Sequence, residues 1–316
     1  MDSLKPKIAI IGAGNVGSTF AFSLMISGLA REIVLIDKNE LLAKGECMDL
    51  NHWVSFTHPT KIYSAGFESC EDADIVVITA GANQKPGQSR TDLTKANLAI
   101  FKDIIPAISK HAGNAILLVV TNPVDILTYV TLKLSGLSAS RVIGSGTVLD
   151  TGRLKYMISE YCKVDPNNIH AYIIGEHGDT ELPVWSNATI GGMAIETYCS
   201  DYAKLGNAKN ELAEIFVKVK NAAYQIIQAK GATNYSIALA LVKITRSILR
   251  NENSILPVST LITNYCGISD VCISIPSIVN IKGVEQYLKL DLSEQEQELF
   301  KHSANTLKNI IKTIDI

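Results

Sequence analysis

The sequence predicts an α/β fold, a doubly wound parallel sheet followed by a second domain of α+β type. Three observations carry this. Short apolar runs alternate with helical patterns through the first half of the 316 residues. Those runs are continuously apolar, which marks strands covered on both faces. After about Gly146 the rhythm changes to long amphipathic helices and late strands, so the expected division is 1–146 and 147–316.

Taken in order, strands are expected at 7–12 (KIAIIG), 32–37 (EIVLID), 74–80 (DIVVITA), 115–120 (AILLVV) and 141–146 (RVIGSG). An apolar helix is expected at 15–28. Another spans 90–111, where Leu93, Asn97, Ile100, Ile104 and Ile108 keep helical spacing with one polar interruption. Strand–helix repetition of this length requires right-handed crossovers. In the second half a long helix is expected at 209–230, with Leu212, Phe216, Val219, Ala223 and Ile226 on one face and Gly231 ending it. Strands follow near 255–263 and 271–275. The last helix opens with a capping box, Ser293 to Glu296, and carries acids early and lysines late.

Composition excludes several classes. The net charge of −2 gives no basic field for nucleic acid or an anionic membrane. No apolar run reaches the ~18 residues of a membrane span, and the apolar stretch before Gly12 is too short for a signal-peptide core. The six cysteines form no CxxC pair, which argues against structural zinc and for free thiols in a reducing cytoplasm. No metal is expected.

GAGNVG (Gly12, Gly14, Gly17) follows the first strand and opens a helix, and Asp37 ends the second strand twenty residues past Gly17. This is the Rossmann dinucleotide fingerprint. Gly12 permits the tight turn, Gly14 lets backbone approach a pyrophosphate, and Gly17 lets helix and strand touch. The helix N-terminus supplies amide donors. Asp37 would accept from ribose hydroxyls and repel a 2′-phosphate, so the expected cofactor is NAD.

Reduction of a 2-oxo acid needs a cation for the carboxylate, a donor polarising the ketone and a proton source. His177 sits in GEHGD, a polar turn after an apolar strand. Asp150 in VLDTGR could hold one ring nitrogen and raise the imidazolium population. Arg153 lies one helical turn beyond Asp150 and offers a planar fork to a carboxylate. Arg90 ends the polar loop GANQKPGQSR, which could close over a substrate and bring Arg90 onto the ketone oxygen.

With these segments assembled, the chain resembles the bacterial-type L-lactate dehydrogenases of the lactate/malate dehydrogenase family. The motifs TAGANQKPGQSRTDL, TNPVDI, GTVLDTGRL, IIGEHGDTELPVWS and KGATNYSIA occur in the family's order along the whole chain. The resemblance implies pyruvate and L-lactate as substrates, His177 as proton donor and acceptor, Asp150 as its orienting partner, and Arg153 as carboxylate anchor. It implies that Arg90 polarises the carbonyl, Asn122 bonds the substrate oxygen beside the cofactor, and Thr233 limits the pocket. Val16 and Ile237 become cofactor contacts, Ile237 on the nicotinamide. Gln84 stands where related malate dehydrogenases usually carry an arginine, so a second substrate carboxylate would be left unpaired. A cytoplasmic homotetramer is implied, with fructose 1,6-bisphosphate as an effector. His170 matches the effector histidine, while Lys155 replaces the arginine, keeping the charge without the fork.

Three rivals stand beside this reading. Malate or a branched 2-hydroxy acid is separated by Gln84 and by pocket volume near Thr233. An NAD-dependent glycosidase would need a metal, and no cysteine neighbours His177 in sequence. A non-catalytic NAD-sensing module would have no use for His177, Asp150, Arg153 and Arg90 together.

Overall fold

The computed structural model describes residues 6–82, 90–203 and 207–314, with residues 90 and 91 described by backbone alone. The chain begins with β1 (Lys7–Ile11), α1 (Asn15–Ser27), β2 (Glu32–Ile36), α2 (Glu40–Trp53) and β3 (Lys61–Ser64). Then come β4 (Ile75–Ile78), α3 (Arg90–Ser109), β5 (Ile116–Val119), α4 (Val124–Ser135), β6 (Val142–Gly144) and α5 (Val148–Cys162). The five expected early strands are all present, trimmed at their ends. β3 and α2 are additions that the apolar pattern does not announce.

Six of these strands are parallel in the order β3-β2-β1-β4-β5-β6. This is the doubly wound arrangement, with its switch point between β1 and β4 where dinucleotides bind. Alternate residues of each strand enter opposite cores. Ala9, Ile11, Val76 and Ile78 join the core holding α3 and α4. Ile8, Ile10, Ile75 and Val77 join the core holding α1 and the later helix α8 (Tyr235–Leu249). Continuous apolarity in these strands therefore reports two buried faces.

Between α5 and α8 lie five two-residue strands: β7 (Ile169–His170), β8 (Ile173–Ile174), β9 (Leu182–Pro183), β10 (Thr189–Ile190) and β11 (Met193–Ala194). The helices α6 (Ile195–Asp201) and α7 (Ala208–Lys230) follow. A third core joins Leu154 and Ile158 of α5 to Leu212, Ile215 and Val219 of α7. The buried face of α7 is thus rotated from the expected stripe, with Ala223 and Ile226 only half-buried. Gly231 ends α7 at φ 85°.

The late strands β12 (Ser254–Ile262), β13 (Val271–Asn280) and β14 (Gly283–Tyr287) extend the first sheet. β12 meets β6 antiparallel, with Ser259 opposite Gly144. A side chain at Gly144 would place its Cβ 2.4 Å from Thr128 Oγ1 and 2.8 Å from the Ser259 Cβ, so only glycine allows this seam. The closing helix α9 (Glu294–Ile311) carries the expected capping box between Ser293 and Glu296.

Candidate active site

The turn between β1 and α1 is built by glycine. Gly12 has φ 106°, and a Cβ there would lie 2.7 Å from the Ala80 amide nitrogen. A Cβ on Gly17 would lie 1.9 Å from the Gly12 carbonyl oxygen, whereas one on Gly14 would meet nothing within 4 Å. Gly14 is the N-cap of α1 and supplies no side-chain acceptor. The start of α1 therefore has no side-chain cap and open space beside Gly14, the arrangement that can receive a pyrophosphate on the first helical amides. Asp37, just past β2, accepts from the Ala13 amide at 2.7 Å and the Asn39 amide at 2.8 Å, so it braces the glycine turn from the neighbouring strand. Val16 and Ile237 pack together with Val120 against the same core. Asn234 Nδ2 donates to Thr19 Oγ1 at 2.9 Å, fixing the start of α8 against α1.

These contacts separate two effects. Gly17→Ala forces a methyl group onto a backbone carbonyl, an overpacking cost of about 1–3 kcal/mol. It is expected to lower Tm by roughly 3–10 °C and to weaken NADH binding together. Gly14→Ala meets only the ligand's space, so it should weaken NADH at least about tenfold with Tm unchanged. Calorimetric melting and NADH titration of both variants check this.

The second half carries the residues expected to react. Asp150 lies in the first turn of α5, with Arg153 one turn on, and both are nearly buried. Arg153 Nη1 donates to Asp150 Oδ1 at 2.9 Å, and Asp150 Oδ2 lies 2.6 Å from His177 Nδ1. The His177 side chain keeps 26 % of its surface exposed, and its second nitrogen, Nε2, has no hydrogen bond among the described residues. Burial would raise the Asp150 carboxyl, but the His177 charge and hydrogen bond, then Arg153, outweigh it and hold the group below the ordinary carboxylate value. Burial likewise disfavours the His177 imidazolium. The Asp150 charge and hydrogen bond win, with smaller help from Glu181 and Asp125, and raise the imidazole to about 9.

A residue missed from sequence holds the turn beneath this pair. Asp125 of α4, last in the TNPVD string, is 1 % exposed. Its Oδ2 accepts from the His177 amide at 2.7 Å, and its Oδ1 from Ser259 Oγ at 2.6 Å. Burial pushes its carboxyl up to about 6, restrained by the Ser259 and His177 bonds. Gly175, at φ 95°, pairs with Ser274 of β13, and Glu176 N donates to Ser303 Oγ of α9 at 2.8 Å. The histidine turn is thus tied to α4, β12, β13 and α9.

Asn97 explains the polar interruption in α3. It is 1 % exposed, accepts from the Ala82 amide at 2.7 Å and donates to the Asn122 carbonyl at 2.8 Å. Asn122 is exposed beside a cis bond to Pro123. Thr233 is half-buried just before α8. Gln84 and the Arg90 side chain lie outside the described residues. Lys155 is half-buried on α5, and burial lowers its ammonium below the usual value. His170 is exposed on β7, paired with Thr189.

Among the described residues, one cluster has metal-ligand types in reach: Asp150, His177 and Glu181, with ligand atoms within 4.8 Å of one another. Both Asp150 oxygens are already bonded, one of them to a guanidinium, which favours proton handling over a divalent cation. No described helix is long and apolar enough to cross a membrane.

Residues 6–144 match the NAD-binding domain of lactate/malate dehydrogenases, and residues 147–315 match their α/β C-terminal domain. The chain belongs to the lactate/malate dehydrogenase family. Among relatives, an L-lactate dehydrogenase of Acetivibrio thermocellus is 54% identical over 310 residues, covering 98% of each chain. Another, from Geobacillus thermodenitrificans, is 52% identical over 306 residues and 96% of each chain. The crystal structure of the minor L-lactate dehydrogenase from Enterococcus mundtii, in a ligand-bound form, superposes with a TM-score of 0.95 at 41% identity, covering 99% of this chain and all of that one. The matching N-terminal domain is an NAD-binding domain and the cofactor is NAD, with open space beside Gly14 at the uncapped start of α1.

Proposed function

We propose that this chain is an L-lactate dehydrogenase, an oxidoreductase that reversibly reduces pyruvate to L-lactate with His177 as general acid and base. The relatives that are about half identical over nearly the whole chain support the activity. The Asp150–His177 pair beside Arg153 carries the chemistry. NADH, when bound, supplies the hydride. Asp150 occupies Nδ1 and fixes the ring, so Nε2 gives its proton to the ketone oxygen and takes it back in the reverse direction. Arg153 grips the substrate carboxylate with the donors Asp150 leaves free. Arg90 and Asn122 bond the ketone oxygen, Thr233 limits the pocket, and the neutral Gln84 favours a small apolar substituent over a second carboxylate. Gly12, Gly14, Val16, Gly17, Asp37, Asn122 and Ile237 hold the cofactor. In this reading residues 1–146 bind the dinucleotide and residues 147–316 carry the reacting groups.

The physiological setting we propose is cytoplasmic fermentation downstream of glycolysis, by a homotetramer with no nucleic-acid or membrane partner. Exposed apolar side chains on and after α2 (Leu41, Met48, Trp53 and Phe56) support self-association. Fructose 1,6-bisphosphate binding at Lys155 and His170 is the allosteric part of the proposal.

NADH consumption measured with pyruvate, oxaloacetate and 2-oxoisocaproate tests this, each with and without the sugar bisphosphate. Pyruvate is expected to lead in kcat/KM by at least about a hundredfold. Equal or faster turnover of oxaloacetate would reassign the substrate. Pyruvate saturation curves that superimpose with and without the bisphosphate would remove the effector.

A further inference from the structure

The reacting cluster contains one more titratable group, and the proton transfer gives it no task. Glu181, just before β9, is 7 % exposed. It lies within 4.8 Å of ligand atoms of both Asp150 and His177. Its carboxyl makes no hydrogen bond among the described residues. Two carboxyls this close in a buried place do not both ionise cheaply. Asp150 takes the charge, because it is bonded to His177 and Arg153.

We propose that Glu181 is a proton-carrying positioning residue that sets affinity for the mono-anionic substrate. When neutral it leaves Arg153 free to take the substrate carboxylate, and when ionised it stands in for that carboxylate. The proposal rests on the reading of Asp150, His177 and Arg153 as the reacting cluster.

The charge balance gives the reason. Within the trio of Asp150, Arg153 and His177, imidazolium and guanidinium against one carboxylate leave a single positive charge, which one substrate carboxylate neutralises. An ionised Glu181 removes that surplus before the substrate arrives. The groups facing Glu181 are Asp150 and Arg153 of α5, His177 of the turn and Lys220 of α7. Asp125 of α4 stands behind His177, and Glu176 lies beside Asp125. Lys220 Nζ is held by the Asp179 carbonyl at 2.6 Å. Burial, then the Asp150 charge, push the Glu181 carboxyl up to about 8. Glu181 is thus neutral below about 8, where affinity is full, and ionises as pH rises through that value. His177 releases its proton near 9, a second loss in the same direction.

The test is proton linkage, read with oxamate as a non-reacting pyruvate analogue titrated into the NADH complex from pH 6.5 to 10. In the native chain the logarithm of the association constant should fall with a limiting slope approaching two protons. Glu181→Gln cannot ionise and is nearly isosteric, so its limiting slope should be one. Its single remaining step, that of His177, should fall below the native position near 9, because the imidazolium loses the support of a neighbouring carboxylate. Calorimetry of the native complex at pH 9.5, in buffers of different ionisation heat, gives a second count without any variant. It should find more than one proton taken up per oxamate. A native count of one or fewer, or an unchanged slope in Glu181→Gln, overturns the role of Glu181 alone. An unchanged slope in His177→Asn would overturn the underlying assignment of His177.

Discussion

Replacing His177 by asparagine is expected to lower kcat for pyruvate reduction by about 10²–10⁴-fold, the range lost when a positioned general acid is removed. NADH affinity should stay within about twofold, because the glycine turn and Asp37 are built on β1, α1 and β2, remote in sequence from the histidine turn. The pH dependence gives the assignment a sign. Reduction consumes the imidazolium, which is present below about 9 and lost above it, so the reduction rate should fall on the alkaline side. Lactate oxidation needs the neutral ring and should rise through the same range. Asp150→Asn removes the charge that holds the imidazole up, so both limbs should move toward lower pH. Stopped-flow turnover across pH, with NADH titrations of each variant, supplies the measurements. If His177→Asn lost cofactor affinity and kept turnover, His177 would be a structural residue and the proposed chemistry would fail.

Local pattern carries the two-sided strands and the glycine turn, because each is decided within a few consecutive residues. Spacing alone joins Asp150 to Arg153, since one helical turn sets them side by side. What depends on distant pairing is not written locally. β3 is four residues beginning with an exposed lysine at the sheet edge, too short and polar to stand out. α2 buries Ala43, Cys47 and Leu50 but exposes Leu41 and Met48, so its apolar residues form no single stripe. Asp125 acquires its partners only when β12 docks on β6 and brings Ser259 across 134 positions. Glu181 is separated from His177 by three residues, yet its neighbourhood with Asp150 arises from the folding of that turn against α5. For both acids the available signal is a carboxylate inside an otherwise apolar or motif-dense segment, and it says only that a partner must exist.

Gln84→Arg is expected to raise the ratio of kcat/KM for oxaloacetate over pyruvate by about 10²–10⁴-fold. The reason is a charge count. Oxaloacetate brings two carboxylates, and Arg153 is the described cation placed among the reacting groups for one of them. The other would meet the neutral Gln84 amide, and a buried carboxylate without a partner costs several kcal/mol. At about 1.4 kcal/mol per factor of ten, a few kcal/mol recovered by a guanidinium gives the predicted range. The same guanidinium has nothing to pair with when pyruvate presents a methyl group, so pyruvate turnover should fall and widen the ratio from the other side. Lys85 is the adjacent cation in sequence. If it already reached the second carboxylate, the unaltered chain would accept oxaloacetate and Gln84→Arg would add little. Parallel assays of the two keto acids therefore decide between a specificity set by the residue at position 84 and one set by its neighbour. An unchanged ratio would move the discrimination elsewhere in the pocket.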